Sequence, residues 1–375
     1  MARYVDSRSQ QTFPLDTPIW QSPSGHPLML TPLGGIHREQ IDFATRSIWR
    51  YRASFPLDVE TPISLGEGCT PLVASTFAGA TCFFKLEWFA PTGSFKDRGT
   101  SVMLSMLRQQ GVSSVLEDSS GNGGSSVAGY GAAGDMQVKV FVPDSTSPAK
   151  IAQVRAYGAD VELVPGPREA TEQAAIAASS QVFYASHNWH PFFLQGTKTL
   201  GYELWEDLGF KVPDNIIIPT GAGSNLLGCY IAFQELISSG EIENLPRLFA
   251  SQPSNCAPLH ASFRAATEDY VDCDFQPTVA EGTAIRRPIR LLEMLHALRE
   301  SNGGTIAIDE QEIAAASLML ARQGLYVEPT SAQAAAAFSR LIQDETISES
   351  DATVILLTGT GLKTTPFYET RLAGN

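Results

Sequence analysis

The sequence predicts an α/β fold made of two parallel-sheet domains with one shared cleft between them. Apolar strand segments alternate with helical segments over residues 112–186, as in a parallel sheet covered by helices. The alternation resumes at residue 215. Glycine-rich turns follow three of the strands, and open α/β sheets bind ligands at the carboxyl ends of their strands. We expect a larger domain of residues 1–100 with 200–375 and a smaller domain of residues 101–199.

The individual elements follow from hydrophobic patterning and turn residues. Residues 1–60 carry few regular signals, and the first strong strand is TCFFKLEWF (81–89). A PTGS turn with a capping Thr92 or Ser94 precedes a helix that ends near Gly111. The later strands are VSSVLED (112–118), VKVFVPD (138–144), DVELVP (160–165), VFYAS (182–186), NIII (215–218), PRLFASQ (246–252) and ATVILL (352–357). The later helices are VAGYGAAGD (127–135), PAKIAQVRAYGA (148–159), TEQAAIAASS (171–180), LLGCYIAFQELISSG (226–240), QEIAAASLMLARQG (311–324) and SAQAAAAFSRLIQ (331–343).

Charge and composition exclude several classes of function. The 375 residues include 26 Lys and Arg against 40 Asp and Glu, a net charge of −14, which disfavours binding to nucleic acid or anionic lipid. No apolar run approaches the ~20 residues of a membrane span. The first twenty residues lack the apolar core of a secretory signal, so we expect a cytoplasmic protein. The five cysteines, an odd number without a CxxC pair, are expected to be buried thiols.

The turn GAGSN (221–225) opens a predicted helix and suits an anion. Backbone N–H groups and the helix dipole favour negative charge there. A dinucleotide-binding turn requires a third glycine at position 226, which is Leu226. A Walker loop requires the glycine to precede Lys363 directly, but Leu362 intervenes. A phosphate site or a plain tight turn remains.

Lys96, in PTGSFKDRGT (91–100), is the first candidate for chemistry. It stands where the turn becomes a helix, among small and apolar residues. The positive end of the helix and partial desolvation favour the uncharged amine, which suits Schiff-base chemistry. The competing interpretation is a surface lysine paired with Asp97.

PTGSFKDRG resembles the cofactor-lysine motif of threonine synthase-like enzymes in the fold type II, tryptophan synthase β-like, family of pyridoxal-phosphate enzymes. Further motifs resemble the family in the same order over residues 48–365. They are IWRYRASFP with SLGEGCTPLV, SSGNGGSS as the asparagine loop, PTGAGSN as the phosphate loop, LYVEPTSA and LLTGTGLK. The family fold implies that the cofactor occupies the cleft between the two domains.

The resemblance implies a role for each matching residue. Lys96 would hold pyridoxal 5'-phosphate as a Schiff base and serve as the proton-transfer base. The other residues with implied cofactor contacts are Phe95 against the ring, Asn122 at the ring 3'-oxygen, Thr358 at the pyridine nitrogen, and Gly221, Ala222, Gly223, Ser224 and Asn225 at the phosphate. The substrate carboxylate would lie at Ser119, Ser120 and the backbone of Gly121 and Gly123. A neutral hydroxyl at the pyridine nitrogen favours elimination and replacement over transamination.

The chain departs from the family where a substrate phosphate would bind. The family pattern resembles NSxNPxRxxGQKT, and this chain reads HNWHPFFLQGTKT (187–199). Phe193 aligns with the arginine, His190 aligns with the second asparagine, and Gly123 replaces a threonine. Phenylalanine cannot replace a bidentate arginine. A replacement cation would have to come from elsewhere in the chain, and Arg286, Arg287 and Arg290 are the candidates. The competing interpretation is that these arginines are only the solvated basic start of a helix.

Two substrate classes therefore follow. The first is threonine synthase-like: elimination of phosphate from O-phosphohomoserine and addition of water to give threonine. The alternative is an ammonia-lyase, dehydratase or β-replacement enzyme acting on another hydroxy or diamino acid. Trp189, Phe192 and Phe193 would form an apolar pocket wall or else ordinary core, and His187 and His190 would line the pocket, where an imidazole can act on a leaving group.

No metal and no macromolecular partner beyond a second copy are expected. WQSPSGHPL (20–28) resembles a zinc-ribbon start, but Ser22 and Ser24 occupy the cysteine positions. His187 and His190 have no third ligand nearby in sequence. Symmetric oligomers are common among enzymes, so we expect a homodimer that acts on a small amino acid.

Overall fold

The computed structural model describes residues 2–146, 148–166 and 168–373. The strands are β1 Tyr4–Asp6, β2 Thr12–Phe13, β3 Leu28–Leu30, β4 Leu72–Phe77, β5 Ala80–Leu86, β6 Ser114–Glu117, β7 Gln137–Pro143, β8 Asp160–Val164, β9 Phe183–Tyr184, β10 Asn215–Pro219, β11 Arg247–Pro253, β12 Gly304–Ile308 and β13 Thr353–Leu357. The helices are α1 Lys96–Gln109, α2 Asn122–Ala133, α3 Pro148–Ala156, α4 Arg168–Ala178, α5 Pro191–Thr197, α6 Thr199–Asp207, α7 Ser224–Ser238, α8 Pro258–Arg264, α9 Leu291–Glu300, α10 Glu310–Arg322, α11 Pro329–Gln343 and α12 Thr365–Leu372.

The chain forms two compact units whose boundaries differ from the predicted domains. Unit 1 contains Met1–Cys69 and Ala90–Thr199, and unit 2 contains Thr70–Phe89 and Leu200–Asn375. The N-terminal segment belongs to unit 1 because its apolar side chains, among them Tyr4 and Trp49, share one core with those of α1. The segment 70–89 belongs to unit 2 because β5 pairs with β13.

Unit 1 contains a parallel sheet in the order β8-β7-β6-β9, with α2, α3 and α4 in the crossovers between its strands. The chain moves outward from β6 to β7 and β8 and then returns to pair β9 with the other side of β6. The carboxyl ends of β6 and β9 therefore flank the point where the strand order reverses, which is where such sheets bind ligands. A small antiparallel sheet, β2-β1-β3, is formed by the segment in which sequence patterning showed few signals.

Unit 2 contains a sheet in the order β12-β11-β10-β13-β5-β4, parallel except for the edge strand β4. The alanine-rich face of α11 packs in the same core as this sheet, since small side chains permit close approach. Here the strand order reverses between β10 and β13. The turns after these two strands are two of the three predicted glycine-rich turns, and they lie at neighbouring strand ends.

The predicted parallel strands and their helices are present within a few residues. The strands β4 and β12 and the helices α5, α6, α8, α9 and α12 are additional elements. None of them is longer than 10 residues, which is too short a pattern to distinguish reliably from a loop. No helix in the described part of the chain has the length and apolarity to cross a membrane.

A buried ion network links β5 to α6 in unit 2. The Lys85 Nζ donates at 2.7 Å to each of Glu203 Oε1, Asp207 Oδ2 and the carbonyl oxygen of Thr70. Lys85 is fully buried and the Glu203 side chain is 3% exposed. Because both charges are out of water, the pair is stabilising only while both partners are present.

We predict that Lys85→Met lowers the free energy of unfolding by about 3–5 kcal/mol, since it leaves the Glu203 charge buried. The matched control is Lys139→Met, which removes a partly exposed strand lysine 2.6 Å from Glu162 and should cost below ~1 kcal/mol. Urea unfolding of both variants measures the difference. Equal losses would show that the Lys85 network is not buried as described.

Candidate active site

Lys96 is the first residue of α1 and is held at the end of the PTGS turn. The Lys96 Nζ lies 4.5 Å from the centroid of the Phe95 ring and 5.6 Å from that of Phe193. Asp97 is buried and accepts from the Thr92 N–H at 2.7 Å, from the Thr92 hydroxyl at 2.6 Å and from the Ser126 hydroxyl at 2.7 Å. Asp97 therefore fixes the turn from a buried position and is not a surface carboxylate.

Phe193 packs directly against α1 one turn beyond Lys96. The ring is fully buried. A Cβ added at Gly99 would lie 2.5 Å from three ring carbons of Phe193, and one at Gly196 would meet the backbone of Arg98. The absence of side chains at Gly99 and Gly196 lets α5 approach α1, which holds the Phe193 ring near the lysine.

The asparagine loop follows β6 and opens α2. Asn122 is the first residue of the helix and is half-buried, and the Ser119 hydroxyl accepts from the Gly121 N–H at 3.3 Å. Ser120 follows Ser119 in this loop and is also half-buried. A Cβ at Gly123 would lie 2.6 Å from the His187 ring. The imidazole thus occupies the space that a larger residue at position 123 would need.

His187 forms a buried pair with Glu117, the last residue of β6. The His187 Nδ1 lies 3.0 Å from Glu117 Oε1, and the backbone N–H of His187 donates to Oε2 at 3.1 Å. The ring centroids of His187 and Phe193 are 5.7 Å apart. Burial, and next the charge of Lys96, hold the pKa of His187 well below its usual range. Burial raises the pKa of Glu117.

Asp118, the residue after Glu117, is neutralised separately. The Arg168 Nη2 lies 2.7 Å from Asp118 Oδ2. Burial raises the pKa of Asp118, and the charge of Arg168 opposes that shift. Glu117 accepts from the backbone N–H groups of His187 and Asp118 and lies 3.0 Å from the His187 imidazole, and the nearby charge of Arg168 opposes the rise of its pKa.

The other predicted pocket residues of this segment have structural contacts. The His190 Nδ1 accepts from the Phe192 N–H at 3.2 Å and caps α5. The Phe192 ring lies 5.6 Å from Tyr4, and the Trp189 indole donates to Glu172 at 3.2 Å. All three residues of the predicted apolar wall are buried, and Phe192 and Phe193 belong to the core of unit 1. Phe193 is the one for which the structure gives a contact with Lys96.

In unit 2, the predicted phosphate loop connects β10 to α7. Gly223 caps α7 with a φ of 89°, a left-handed conformation that favours glycine. A Cβ at Gly221 would lie 2.9 Å from Thr283. Ala222 lies between these two glycines and is half-buried. The first N–H groups of any helix have no acceptor within that helix, so the start of α7 is a position that suits an anion.

The Asn225 side chain in the first turn of α7 is buried, and within the described residues its amide nitrogen and oxygen have no hydrogen-bond partner. A glycine cradle with an unsatisfied buried amide fits a phosphate group.

Thr358 follows β13, the strand beside β10. The Thr358 hydroxyl lies 3.0 Å from that of Ser331 and donates to Glu328 Oε1 at 3.4 Å. Both partners come from the LYVEPTSA segment. The structure therefore places a carboxylate next to the hydroxyl that the sequence predicted as the neutral partner of a pyridine nitrogen.

The three candidate arginines also lie in unit 2. Arg286 stacks on Phe275 at 5.6 Å and Arg287 on Tyr270 at 5.3 Å. Arg290 is buried at the start of α9, and burial lowers its pKa to about 10.

In the turn that resembles a zinc ribbon, the Ser22 hydroxyl accepts from the His26 N–H at 3.2 Å. Ser24 is exposed in the same turn. The described residues contain no cluster of three or more His, Cys, Asp or Glu that could hold a metal ion.

Glu117 and Glu328 are candidate site residues that sequence reasoning missed. Ser94 and Thr92 were predicted as helix caps, but the residue that caps α1 is Phe95 and no side chain caps it. Within the described residues, the buried Ser94 hydroxyl has no hydrogen-bond partner. A carboxylate at the end of a buried strand, one residue before a glycine-rich turn, was the available signal for Glu117. Its partner is 70 residues away, so spacing alone could not have identified the pair.

Sequence comparisons identify a family and several relatives. A sequence model of the family described as "Pyridoxal-phosphate dependent enzyme" matches residues 63–359. A threonine synthase of Methanocaldococcus jannaschii is 32% identical over 337 residues, 88% of this chain and 83% of that protein. A threonine synthase of Mycobacterium tuberculosis is 31% identical over 322 residues, 84% of this chain and 87% of that protein.

Solved structures share the fold at lower identity. The processed form of threonine deaminase isoform 2 from Solanum lycopersicum superposes with a TM-score of 0.73 at 22% identity and covers 96% of each chain. A fungal L-serine ammonia-lyase from Rhizomucor miehei superposes with a TM-score of 0.70 at 22% identity, covering 81% of this chain and 98% of that one. The fold predicted from the sequence is confirmed.

We predict that Gly99→Ala destabilises the protein, although alanine improves helix propensity by about 1 kcal/mol. The added methyl group overlaps the Phe193 ring, and overpacking costs about 1–3 kcal/mol. Adding Phe193→Leu should recover part of the loss, and Gly34→Ala, at an open position, should change stability by less than ~0.5 kcal/mol. Urea unfolding of the parent protein and of these three variants measures the changes in the free energy of unfolding. A Gly99→Ala variant more stable than the parent would show that Phe193 does not pack on α1.

Proposed function

Because the chain belongs to the family of pyridoxal-phosphate dependent enzymes, we propose that it is a lyase that eliminates an uncharged group from the side chain of an amino acid. The substrate class is a β-hydroxy or diamino acid, and the products are a keto acid and ammonia, or a replacement product if a nucleophile adds. The observation that carries this proposal is the buried Phe193 ring 5.6 Å from the Lys96 Nζ.

The residues present fit the cofactor. Lys96 would hold it, with Phe95 and Asn122 at its ring. The loop of Gly221, Ala222, Gly223, Ser224 and Asn225 would hold its phosphate, because the buried Asn225 amide supplies a donor and an acceptor that are unsatisfied within the described residues. Thr358 would face the pyridine nitrogen.

When bound, pyridoxal phosphate supplies an electron sink for charge that develops at the Cα of an amino acid. The chain's own residues supply binding and proton transfer. Ser119, Ser120 and the backbone at Gly121 and Gly123 would orient the substrate carboxylate. The Lys96 amine would take the proton from Cα as general base. Phe193 would exclude water from the substrate's side chain.

Phe193 favours an uncharged leaving group over phosphate. A buried aromatic face near the reacting atoms gives a phosphate dianion no hydrogen-bond donor, and desolvating an unpaired charge is costly. A bidentate arginine at this position would supply two charge-assisted bonds. Loss of one such bond, worth about 1.5–3 kcal/mol, lowers affinity roughly 10–150-fold.

Threonine synthase-like chemistry is the second candidate, favoured by relatives named threonine synthase at 31–32% identity. It requires another ligand for the substrate phosphate. That Arg286, Arg287 or Arg290 supplies this ligand stays a prediction. His190 as a substrate residue, the homodimer and the cytoplasmic location likewise stay predictions.

We predict that the purified holoenzyme forms keto acid and ammonia from L-serine, L-threonine or 2,3-diaminopropionate. For at least one of these substrates, kcat/KM should be at least about tenfold higher than for phosphate release from O-phospho-L-homoserine. Coupled assays of ammonia, keto acid, phosphate and threonine measure each product. Phosphate release with threonine as the favoured reaction would contradict the proposal and support the second candidate.

Variants at Phe193 test the residue itself in the same assays. Phe193→Arg should reduce turnover of the uncharged substrate by about tenfold or more, because it places a second cation near Lys96. Phe193→Leu should retain more activity, since the wall stays apolar. The control is Phe89→Arg, at a residue that is 58% exposed in unit 2. Unchanged turnover by Phe193→Arg would show that Phe193 does not line the substrate site.

A further inference from the structure

Glu117 and His187 form a buried pair at the point where the strand order of unit 1 reverses, with His187 Nδ1 3.0 Å from Glu117 Oε1. Glu117 is the last residue of β6. His187 comes shortly after the end of β9, the strand that pairs with β6. The Glu117 side chain is fully buried, and 8% of the His187 side chain remains exposed. A buried carboxylate that orients one nitrogen of an imidazole is the arrangement by which enzymes prepare the other nitrogen for proton transfer.

The pair is close to the lysine expected to start the reaction. Both groups lie close to the Phe193 ring. The Lys96 Nζ is 5.6 Å from the centroid of that ring, and the centroid of the His187 ring is 5.7 Å from it. Gly123 leaves room for this imidazole, because a Cβ there would overlap His187 Cε1. The histidine therefore lies among the residues that we propose surround the substrate.

The charges around the pair and its burial bear on which protonation state it favours. Arg168 neutralises Asp118, so the groups facing the pair are that ion pair, Lys96 and the buried Tyr184 hydroxyl. Burial raises the pKa of Glu117 and lowers that of His187, which favours a pair without net charge. In that state one proton lies between Glu117 Oε1 and His187 Nδ1, and a second is bound to Nε2.

We propose that His187 protonates the leaving group of the substrate through Nε2, and that Glu117 is a positioning residue that passes the shared proton to Nδ1. The proposal rests on the proposed function, elimination of an uncharged group. As the Cβ–O bond of a hydroxy acid breaks, its electron pair goes to oxygen, which takes the Nε2 proton and leaves as water. Lys96 has taken the Cα proton, and the Cα electron pair forms the Cα–Cβ double bond. Glu117 ends as a carboxylate while Lys96 carries the positive charge, so total charge is unchanged.

The experiment compares two substrates that differ in the leaving atom. Hydroxide leaves L-serine only with a proton, whereas chloride leaves β-chloro-L-alanine without one. The key variant is Glu117→Gln, which keeps the shape and a hydrogen bond to Nδ1 but holds no transferable proton. We expect Glu117→Gln and His187→Asn holoenzymes to lose about 100-fold or more in kcat/KM for L-serine, and less than about threefold for β-chloro-L-alanine.

Retained turnover of β-chloro-L-alanine shows that the variants are folded and hold the cofactor. The matched control is His260→Asn, since His260 is a partly buried histidine of unit 2 whose Nδ1 lies 3.0 Å from the Thr305 hydroxyl. It should leave both substrates unchanged. Equal losses on both substrates, or no loss on L-serine, would overturn the proposal. If the wild-type holoenzyme prefers L-threonine to L-serine, L-threonine takes the place of L-serine in this comparison. If it turns over none of L-serine, L-threonine, 2,3-diaminopropionate and β-chloro-L-alanine, the proposed function itself fails and the proposal fails with it.

A second readout does not depend on activity. The chain has six histidines, so 15N-histidine labelling gives a small set of imidazole signals. We expect a strongly downfield proton coupled to His187 Nδ1, together with a protonated Nε2. The downfield signal should be absent from His187→Asn and altered in Glu117→Gln. Absence of the signal from the wild-type protein would overturn the shared-proton state.

Discussion

The buried carboxyl group of Glu117, at the end of β6, determines how several neighbouring segments of unit 1 pack. Glu117 is fully buried and needs hydrogen-bond donors, because an isolated buried charge is costly. Those donors are the backbone N–H and the imidazole of His187 and the N–H of Asp118, which fix the chain after β9 against the end of β6. Asp118, which is also buried, forms an ion pair with Arg168. The position of the imidazole, and hence the need for glycine at 123, follows from the interaction of Glu117 with His187.

The second constraint is the close packing of α5 on α1. Gly99 and Gly196 permit the approach, and Phe193 fills the space beside Lys96. Phe193 therefore belongs to the packing of unit 1 and, in our proposal, also to the wall of the substrate site. Together, the apolar wall and the histidine–glutamate pair suit a leaving group that is uncharged and needs a proton.

Local patterns allowed much of the fold and part of the site to be predicted. The parallel strands, the glycine-rich turns at their ends, and Lys96 at a helix start depend on periodicity and turn chemistry within ten to fifteen residues. The rest depends on distant contacts. Nothing in the spacing placed Tyr4 and Trp49 in one core with α1, or paired Glu117 with a histidine 70 residues away. His187 and His190 looked alike in sequence, yet one faces Glu117 and the other caps α5. The order of strands in each sheet decides which glycine-rich turns lie side by side. No short segment of the sequence specifies that order.

The most direct measurement of the central claim is a crystal structure of Lys96→Ala holoenzyme with L-serine bound. Removal of the lysine amine stops proton abstraction, so the substrate would persist. The account predicts the serine Oγ at hydrogen-bond distance, within ~3.2 Å, from His187 Nε2 and in contact with the Phe193 ring. A serine side chain turned away from both residues, with its hydroxyl bonded elsewhere, would contradict the assignment of this pair and this wall to the leaving group.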